Sequence, residues 1–442
     1  MKRVLIVSLS FPPSTKASVH RARHLARYLP AHGWCPRILT IDQRYHKEPA
    51  DPGLAALVPG HVDVVRIGAI PYRFTRRLGI GDLGLRSMWH VRQALDRECA
   101  EFKPDVVFIT GWPFYPMLFA NRIAKRFGVP VVLDFQDPWV SAEGATRAKL
   151  SKGGLAHSLS CALEPRAVRP AAWITSVSDI QNDDMAARYP WLDKARMTAI
   201  PIGGDPEDFD ALRAGPPANP TIRLDPAMLN FCYVGTFLPR AGEVVRALFK
   251  GAARFRAEHP DLAARVRFVF VGTSNQPAGA AVDPTSDWPS SHRVAPIAAE
   301  EGVADMVEEH PSRVPFLEAL SLQANAHAIL MLGSDEPHYT ASKIYPGMMS
   351  GRPFLSIFHK ASSAHRILSQ AGGGVALSFA DLTELGTQIS ASAAAMAEIC
   401  VPSSPKSAKH SATPPPACDR IWCALLASWK IDRNGRPDIM PG

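Results

Sequence analysis

Long apolar runs are scarce in this chain of 442 residues. Runs such as those at residues 4–9 and 329–332 fall well short of the roughly 20 residues that a membrane-spanning helix needs. The charged start Met1-Lys2-Arg3 precedes an apolar segment that is too short for a signal peptide and lacks a small-residue cleavage site. We therefore interpret this segment as a buried strand and expect a cytoplasmic protein without a membrane span.

Cysteine pairs and a glycine-rich dinucleotide motif are also missing. The seven cysteines are odd in number and include no Cys-x-x-Cys pair, which argues against a disulfide framework and against a zinc site. No Gly-x-Gly-x-x-Gly follows the first apolar run, and the absence of this motif argues against an NAD-binding oxidoreductase. The cysteine usage fits a reducing compartment.

Positive charge is in excess, and the excess is local. The net charge is +8, and the first hundred residues alone hold sixteen Lys and Arg against seven Asp and Glu. Such a basic patch could serve nucleic acid, anionic lipid or a phosphorylated substrate. The interleaved aromatics or recognition helix of a nucleic-acid module are lacking, so we expect no nucleic-acid partner.

Short apolar runs alternate with segments of helical period along most of the chain. Continuous apolar runs separated by helices are typical of parallel strands covered on both faces. The predicted strands are residues 4–8, 36–41, 62–67, 105–110, 131–135, 173–177 and 197–201, followed by 229–234, 266–271, 328–332, 354–358 and 374–377. The pattern predicts an α/β protein with two doubly wound, Rossmann-like domains.

A stretch rich in Pro and Gly, residues 203–220, interrupts this alternation and has the composition of a linker. We therefore predict an N-terminal domain over residues 1–210 and a C-terminal domain over residues 211–400. Residues 401–417 are rich in Ser, Pro and Lys, and an amphipathic piece follows them. We interpret residues 401–442 as a linker and a C-terminal helix that docks back.

Two loops of the N-terminal half follow predicted parallel strands, where open α/β sheets bind their ligands. The first leads into a helix and contains Pro12, Pro13, Ser14 and Lys16. A proline-stiffened connecting turn is the plainer interpretation of that loop. The second holds Asp137 and Trp139, a carboxylate and an aromatic platform for a sugar ring, although Asp137 could instead cap the next helix.

Two segments of the C-terminal half could bind a phosphate. Gly235 and Thr236 end a predicted strand and let the backbone approach a phosphate, which Arg240 can neutralise through bidentate hydrogen bonds. Lys343 lies near the start of a predicted helix, where its ammonium could address a diphosphate. A surface lysine near a helix start is common, so the assignment of Lys343 depends on its pairing with Arg240.

These motifs occur in an order that resembles family-4-type retaining glycosyltransferases, and most of all bacterial enzymes of surface-polysaccharide assembly. The resemblance runs from residue 1 to about residue 380, and no single motif decides it. The matching segments are Phe11-Pro12-Pro13, Asp134-Phe135-Gln136-Asp137-Pro138-Trp139, Ser176-Val177-Ser178-Asp179, Ile200-Pro201-Ile202-Gly203-Gly204-Asp205 with Phe209, Tyr233-Val234-Gly235-Thr236, and Ser342-Lys343-Ile344-Tyr345 with Gly351-Arg352-Pro353.

The resemblance implies a GT-B fold whose two domains face a cleft, with a nucleotide sugar mainly on the C-terminal domain and the acceptor on the N-terminal one. The implied catalytic residues are Arg240, Lys343 and Asp137. The remaining implied donor residues are Gly235, Thr236, Ser342, Tyr345 and His338, and the remaining acceptor residues are Pro12, Pro13, Ser14, Lys16, Trp112 and Trp139. No metal and no cofactor are expected, because two basic side chains would neutralise the diphosphate as a divalent cation does elsewhere. The acceptor would be a carbohydrate or a lipid-linked sugar.

The sequence departs from the family pattern in three ways. His338 and Pro346 stand where the family commonly has two Glu, so ribose recognition must differ. The histidine often found after the fourth strand is absent from the Gly111-Trp112-Pro113 segment, and Ile202 replaces an Asn of the interdomain turn. Two alternatives therefore stay open. One is a GT-B-fold sugar-nucleotide 2-epimerase using His338 with Asp335 and Glu336, and the other is a non-catalytic glycosyltransferase-like subunit.

A segment between residues 71 and 93 mixes arginines with large apolar side chains. It contains Tyr72, Arg73, Phe74, Arg76, Arg77, Leu78 and Ile80, and then Leu83, Leu85, Met88 and Trp89. A loop or helix lying in an anionic headgroup layer uses both kinds of side chain. The segment therefore raises the hypothesis of peripheral contact with the inner face of the cell membrane. The alternative is that its apolar residues pack inward while its arginines are solvated.

Overall fold

The computed structural model describes residues 1–238, 240–276, 292–335, 342–380, 382 and 385–400, together with the backbone of residues 430–431 and 437–438. The chain divides into two compact units, Met1–Ile202 with Cys418–Gly442 and Gly203–Ala417. We call these unit 1 and unit 2. The division falls at the start of the stretch rich in Pro and Gly. The predicted C-terminal helix lies outside the described residues.

Unit 1 is a parallel sheet with helices between its strands. Its strands are β1 (Lys2–Ser8), β2 (Trp34–Ile41), β3 (Asp63–Ile67), β4 (Val106–Thr110), β5 (Val131–Phe135), β6 (Trp173–Ser176) and β7 (Met197–Ala199). Its helices are α1 (Val19–Tyr28), α2 (Pro52–Ala56), α3 (Tyr72–Thr75), α4 (Leu83–Glu101), α5 (Ala120–Phe127), α6 (Ala142–Thr146), α7 (Lys152–Val168) and α8 (Asp179–Arg188). The strand order is β3-β2-β1-β4-β5-β6-β7, with every neighbouring pair parallel.

Unit 2 repeats this plan. Its strands are β8 (Leu229–Val234), β9 (Val266–Gln276), β10 (Val307–Ser312), β11 (Ala328–Leu332), β12 (Phe354–His359) and β13 (Gly374–Phe379). Its helices are α9 (Pro206–Ala214), α10 (Gly242–Glu258), α11 (Pro260–Ala263), α12 (Ala295–Glu300), α13 (Phe316–Asn325), α14 (Ile344–Met349), α15 (Ser363–Ala371) and α16 (Leu385–Cys400). The parallel order is β10-β9-β8-β11-β12-β13. A short antiparallel pair, β14 (Lys430–Ile431) and β15 (Pro437–Asp438), forms a third sheet.

Burial explains why the apolar runs became strands. Strands β4 and β5 are buried at every position, as continuous apolar runs covered on both faces should be. On α1, the side chains of Ala22, Leu25 and Ala26 share one face and are fully buried against the sheet. No helix among the described residues is both long and apolar enough to cross a membrane. The predicted pair of doubly wound α/β sheets is confirmed.

The strand order places a topological switch point in each sheet. In unit 1 the order reverses between β1 and β4, and in unit 2 between β8 and β11. Loops that leave adjacent strands in opposite directions open a crevice at the carboxyl edge of a sheet, and ligands of such folds bind there. We therefore expect the predicted site residues to lie at the two switch points.

Candidate functional site

The loop after β8 lies at the switch point of unit 2 and begins with Gly235. Its backbone is tied to β9, because the Gly235 amide donates to the Val271 carbonyl oxygen at 2.8 Å and the Phe237 amide donates to that of Thr273 at 3.0 Å. A Cβ added to Gly235 would overlap the side chain of Lys343, whose Cδ and Cε would lie 2.7 and 2.8 Å away. Only glycine permits this close approach of lysine to backbone.

Lys343 reaches Gly235 from the residue immediately before α14. Its side chain is half-buried, and desolvation together with the positive charge of Arg313 lowers the pKa of its ammonium to about 8. Arg313 follows β10, the edge strand of the same sheet. The structure thus brings together Gly235 and Lys343, and it adds Arg313, which the sequence reasoning missed.

Arg240 makes a different contact. Its guanidinium pairs with the carboxylate of Asp335: Nη2 donates a hydrogen bond to Oδ2 at 2.7 Å, and Nε lies 2.7 Å from Oδ1. Both side chains are largely exposed, so the pair is solvent-screened. Asp335 follows β11, the other strand of the switch point. The expectation that Arg240 and Lys343 jointly face a diphosphate therefore stays a prediction, with Arg240 engaged by Asp335 in this structure.

The remaining donor residues differ in accessibility. Thr236 uses its carbonyl oxygen to accept a hydrogen bond from the Tyr233 hydroxyl at 2.8 Å, and this contact closes the turn. Tyr345 is buried, at 4% exposure, while Ser342 is half-buried beside Lys343. His338 lies outside the described residues, as does Glu336. Of the three residues named for an epimerase, the described one, Asp335, is paired with Arg240.

A small cavity adjoins Lys343 beneath the carboxyl edge of this sheet. Its volume is about 20 Å³, and its lining includes Tyr233, Gln323 and Lys343. A cavity of this size holds about one water molecule. It therefore cannot hold a nucleotide, and the accessible side of Lys343 is the place where a phosphate could bind.

The loop after β1 lies at the switch point of unit 1. Its backbone is used by the protein itself, since the carbonyl oxygen of Pro12 accepts from Arg66 Nη2 at 3.0 Å and that of Pro13 accepts from the Asp51 amide at 2.8 Å. Ser14 is fully buried and Pro12 is buried. These residues fix the course of the loop, and Lys16 is the side chain that the loop presents.

Lys16 and Trp112 are brought together across the switch point. The ammonium of Lys16 lies 4.9 Å from the centroid of the Trp112 ring and 3.2 Å from Oε1 of Glu48. Trp112 leaves 46% of its surface exposed, so one aromatic face is available beside a fixed cation. Burial opposes the ionisation of Glu48, but the charge of Lys16, together with hydrogen bonds from Lys16 and the backbone, lowers the pKa of that carboxylate overall. Glu48 was not anticipated from the sequence.

The loop after β5 carries Asp137, which is exposed and has no hydrogen-bond or ion-pair partner among the described residues. Surrounding protein atoms nevertheless desolvate the carboxylate and raise its pKa. Ser141 caps α6, because its Oγ accepts from the Gly144 amide at 3.0 Å. The capping alternative for Asp137 is therefore wrong.

Trp139 has no exposed face for a sugar ring. Its indole is 8% exposed and stacks on Phe114, with ring centroids 5.4 Å apart, while Tyr115 meets its edge at 6.0 Å. This geometry is that of an aromatic core cluster. In this structure Trp139 therefore supports the loop that carries Asp137 and does not itself form a platform, which corrects the expectation drawn from the sequence.

The two Rossmann-like sheets agree with the comparisons with known proteins. Residues 17–203 match the family model described as glycosyl transferase 4-like domain. The match spans fewer than half of the 442 residues and shows what this region is similar to. It covers nearly all of unit 1. Trp112 and Asp137 lie within the matched region, and Lys16 directly precedes it.

Solved structures extend the likeness to both units. HepE of Anabaena, crystallised with UDP and glucose, is 14% identical with a TM-score of 0.54 over 97% of this chain and 100% of its own. An α,α-trehalose-phosphate synthase (UDP-forming) from Burkholderia vietnamiensis is 12% identical with a TM-score of 0.51 over 98% and 99%. A putative UDP-N-acetylglucosamine 2-epimerase from Listeria monocytogenes is 10% identical with a TM-score of 0.50 over the whole of both chains.

At these identities the likeness establishes the fold alone. The chain therefore has the GT-B fold, in which the Rossmann-like domain that contains the matched region is followed by a second Rossmann-like domain. The chain matches no curated protein. The fold is shared by transferases and epimerases, so the activity has to be argued from the site residues.

Proposed function

We propose that this protein is a glycosyltransferase that moves a sugar from a nucleoside-diphosphate sugar to an acceptor hydroxyl, in glycan or polysaccharide biosynthesis. The observation that carries the proposal is the contact of Lys343 with Gly235 at the switch point of unit 2. Because Gly235 has no Cβ, the Lys343 side chain lies against the backbone at the carboxyl edge of the sheet, where ligands of open α/β folds bind.

The departing nucleoside diphosphate gains negative charge as the glycosidic bond breaks. A cation that is already in place stabilises this charge without reorganising in the transition state. Lys343 supplies that cation, and Arg313 adds positive potential beside it. Arg240 is the second phosphate ligand in this proposal, once a diphosphate competes with the exposed carboxylate of Asp335. Two such cations would do the work of a metal, and we propose a retaining, metal-independent transfer.

The acceptor site in this proposal is the carboxyl edge of the unit 1 sheet. Trp112 offers an exposed ring for a sugar, Lys16 a fixed cation beside it, and Asp137 an unpartnered carboxylate for a hydroxyl. We propose a carbohydrate or a lipid-linked sugar as acceptor, and a cytoplasmic protein with peripheral contact at the inner face of the membrane.

A donor panel tests the proposal. UDP-, GDP- and dTDP-sugars are incubated with the protein, and release of nucleoside diphosphate is measured with and without acceptor sugars. At least one donor should be cleaved, and Lys343→Ala should lower the rate by roughly 100-fold or more, the usual loss on removing one transition-state donor. Lys250→Ala, which removes an exposed lysine of α10, is the matched control and should keep the rate.

The same panel separates the alternatives. An epimerase would isomerise the donor sugar without forming a glycoside, and a non-catalytic subunit would leave every donor unchanged. Cleavage that survives in Lys343→Ala at the full rate would refute the assignment of the donor site, even if the protein were a transferase.

A further inference from the structure

Unit 1 exposes large apolar side chains among arginines, in the segment that the sequence analysis singled out. Phe74 and Trp89 are 61% and 60% exposed, and Ile70, Tyr72 and Leu85 range from 38% to 44%. Arg73, Arg76 and Arg77 are exposed in the same segment. We call these eight residues the basic apolar surface. Leu83 packs into the core, so the inward-packing alternative holds for that residue but not for this set.

Hydrogen bonds hold the two parts of this surface side by side. The Ile70 amide donates to the Arg86 carbonyl oxygen at 3.0 Å, and Arg86 Nη1 donates to the Ile70 carbonyl oxygen at 2.8 Å. Leu85 and Trp89 are four residues apart on α4, so they share one face of that helix. The loop that carries Ile70 is therefore fixed to the helix that carries Leu85 and Trp89.

The arginines of this surface are not neutralised by nearby acids. Arg73, Arg76 and Arg77 form no ion pair among the described residues, and Arg73 lies over the Phe74 ring at 4.7 Å from its centroid. Lys47 adds a further cation, 3.6 Å from the centroid of Tyr72. Elsewhere in unit 1, by contrast, Arg37 and Arg122 are paired with carboxylates. The basic apolar surface therefore carries positive charge that is not neutralised by neighbouring carboxylates.

We propose that the basic apolar surface binds an anionic lipid bilayer. Arginines can pair with lipid phosphates at the headgroup level, while Phe74 and Trp89 insert beside the glycerol backbone, where aromatic rings are favoured. Water-exposed rings of this size are unusual on a surface that binds nothing, and the adjacent cations specify a negatively charged partner. This inference concerns binding alone and does not rest on the proposed glycosyl transfer.

The basic apolar surface adjoins the candidate acceptor loops of the same unit. Tyr72 contacts Lys47, and the next residue, Glu48, is the ion-pair partner of Lys16. An acceptor sugar that is attached to a lipid would reach the Lys16 and Trp112 pair from such a bilayer. This consequence, unlike the binding itself, rests on the proposed function.

Vesicle flotation tests the inference on the full chain. The protein should float with vesicles of phosphatidylcholine mixed with phosphatidylglycerol and stay behind with phosphatidylcholine alone, and added salt should weaken the binding. The triple variant Arg73→Glu, Arg76→Glu, Arg77→Glu should lower the partition coefficient by roughly 100-fold or more, since each surface cation contributes about fivefold. The double variant Phe74→Ser, Trp89→Ser should also lose binding while keeping its charge.

Exposed lysines outside the basic apolar surface provide the matched control. Lys103, Lys125 and Lys250 are exposed and form no ion pair among the described residues. The variant Lys103→Glu, Lys125→Glu, Lys250→Glu changes the net charge by the same amount as the first triple variant and should keep its binding. Thermal melts verify that all variants are folded.

Three outcomes would overturn the inference. Equal loss in both triple variants would mean that total charge, not this surface, drives binding. Equal flotation with neutral vesicles would remove the role of the arginines. A folded protein that floats with neither vesicle at low salt would show that this surface serves another partner, such as an acidic protein.

Discussion

Asp134 and Asp137 lie three positions apart at the end of β5 and have opposite surroundings. Asp134 is fully buried, and its oxygens accept from Thr175 Oγ1 at 2.8 Å, Thr110 Oγ1 at 2.5 Å and Arg21 Nε at 3.4 Å. Asp137 is exposed and has no partner among the described residues. The first carboxylate therefore stabilises the fold, and the second is available for a ligand.

This difference predicts opposite effects of the same substitution. Asp134→Ala should lower the free energy of unfolding by about 3–5 kcal/mol, because it leaves the buried guanidinium of Arg21 without its counter-charge. Asp137→Ala should change it by no more than about 0.5 kcal/mol and should lower glycosyl transfer instead. Denaturant titrations of both variants measure the first quantity. Similar destabilisation by the two substitutions would contradict the assignment.

Gly235 allows a second prediction at the residue scale. Gly235→Ala places a methyl group inside the side chain of Lys343, so it should cost about 1–3 kcal/mol of stability and displace the ammonium. Gly242→Ala is the matched control, since its added Cβ would meet nothing within 4 Å and alanine favours the helix there. The double variant with Lys343→Ala should recover stability but not activity, and a purely additive double-mutant cycle would rule out the contact.

The pKa of Lys343 predicts how donor binding depends on pH. With a pKa of about 8, the lysine is cationic below pH 8 and becomes neutral as the pH rises through that value. A bound diphosphate favours the cation, so the affinity for UDP or GDP should be highest near pH 7, where the terminal phosphate is ionised, and should fall above pH 8 by up to about tenfold per pH unit.

Calorimetry in buffers of different ionisation enthalpy checks this behaviour. Binding at pH 8 should take up a fraction of a proton, and Lys343→Arg should abolish that uptake, because arginine stays charged throughout the range. Equal pH profiles for the two proteins would show that another group controls the dependence.

At the scale of the elements, apolar strands were predictable and one edge strand was not. The runs that became β4, β5 and β11 are buried throughout, and their sequences are apolar except for Thr110 and Asp134, whose side chains are hydrogen-bonded to each other. Strand β10 reads Val-Glu-Glu-His-Pro-Ser and is only half-buried along its length, because it forms the edge of its sheet. Because the sequence did not predict that strand, it also could not place Arg313, which follows it, at the carboxyl edge of the sheet.

The site residues were predictable only as far as loop position determines contact. Lys16 and Trp112 follow adjacent parallel strands, and they do meet. Trp139 follows such a strand as well, yet its ring packs inward against Phe114. The sequence could not predict this direction, because side chains of an irregular loop do not alternate with a regular period. The pairing of Arg240 with Asp335 likewise depends on two loops whose conformations the sequence does not determine.

At the scale of the whole molecule, each unit has the parts of an independent domain. Unit 2 contains its own six-stranded sheet and a hydrophobic core that includes Phe231, Leu248 and Phe268. Residues Thr221 and Ile222 are anchored within the same unit, because their amides donate to Oε1 of Glu318 at 2.7 and 3.0 Å. A chain of this length buries enough surface to fold alone.

We therefore expect a fragment of residues 203–417 to fold and to carry the donor site. It should unfold in one cooperative transition, with equal calorimetric and van't Hoff enthalpies. UDP or GDP at about 100 times its Kd should stabilise it by about 2.7 kcal/mol, which corresponds to roughly 5–10 °C in Tm for a domain of this size. The fragment with Lys343→Ala should melt cooperatively without that shift. A fragment that melts cooperatively but responds to neither nucleotide would mean that unit 2 alone does not form the donor site.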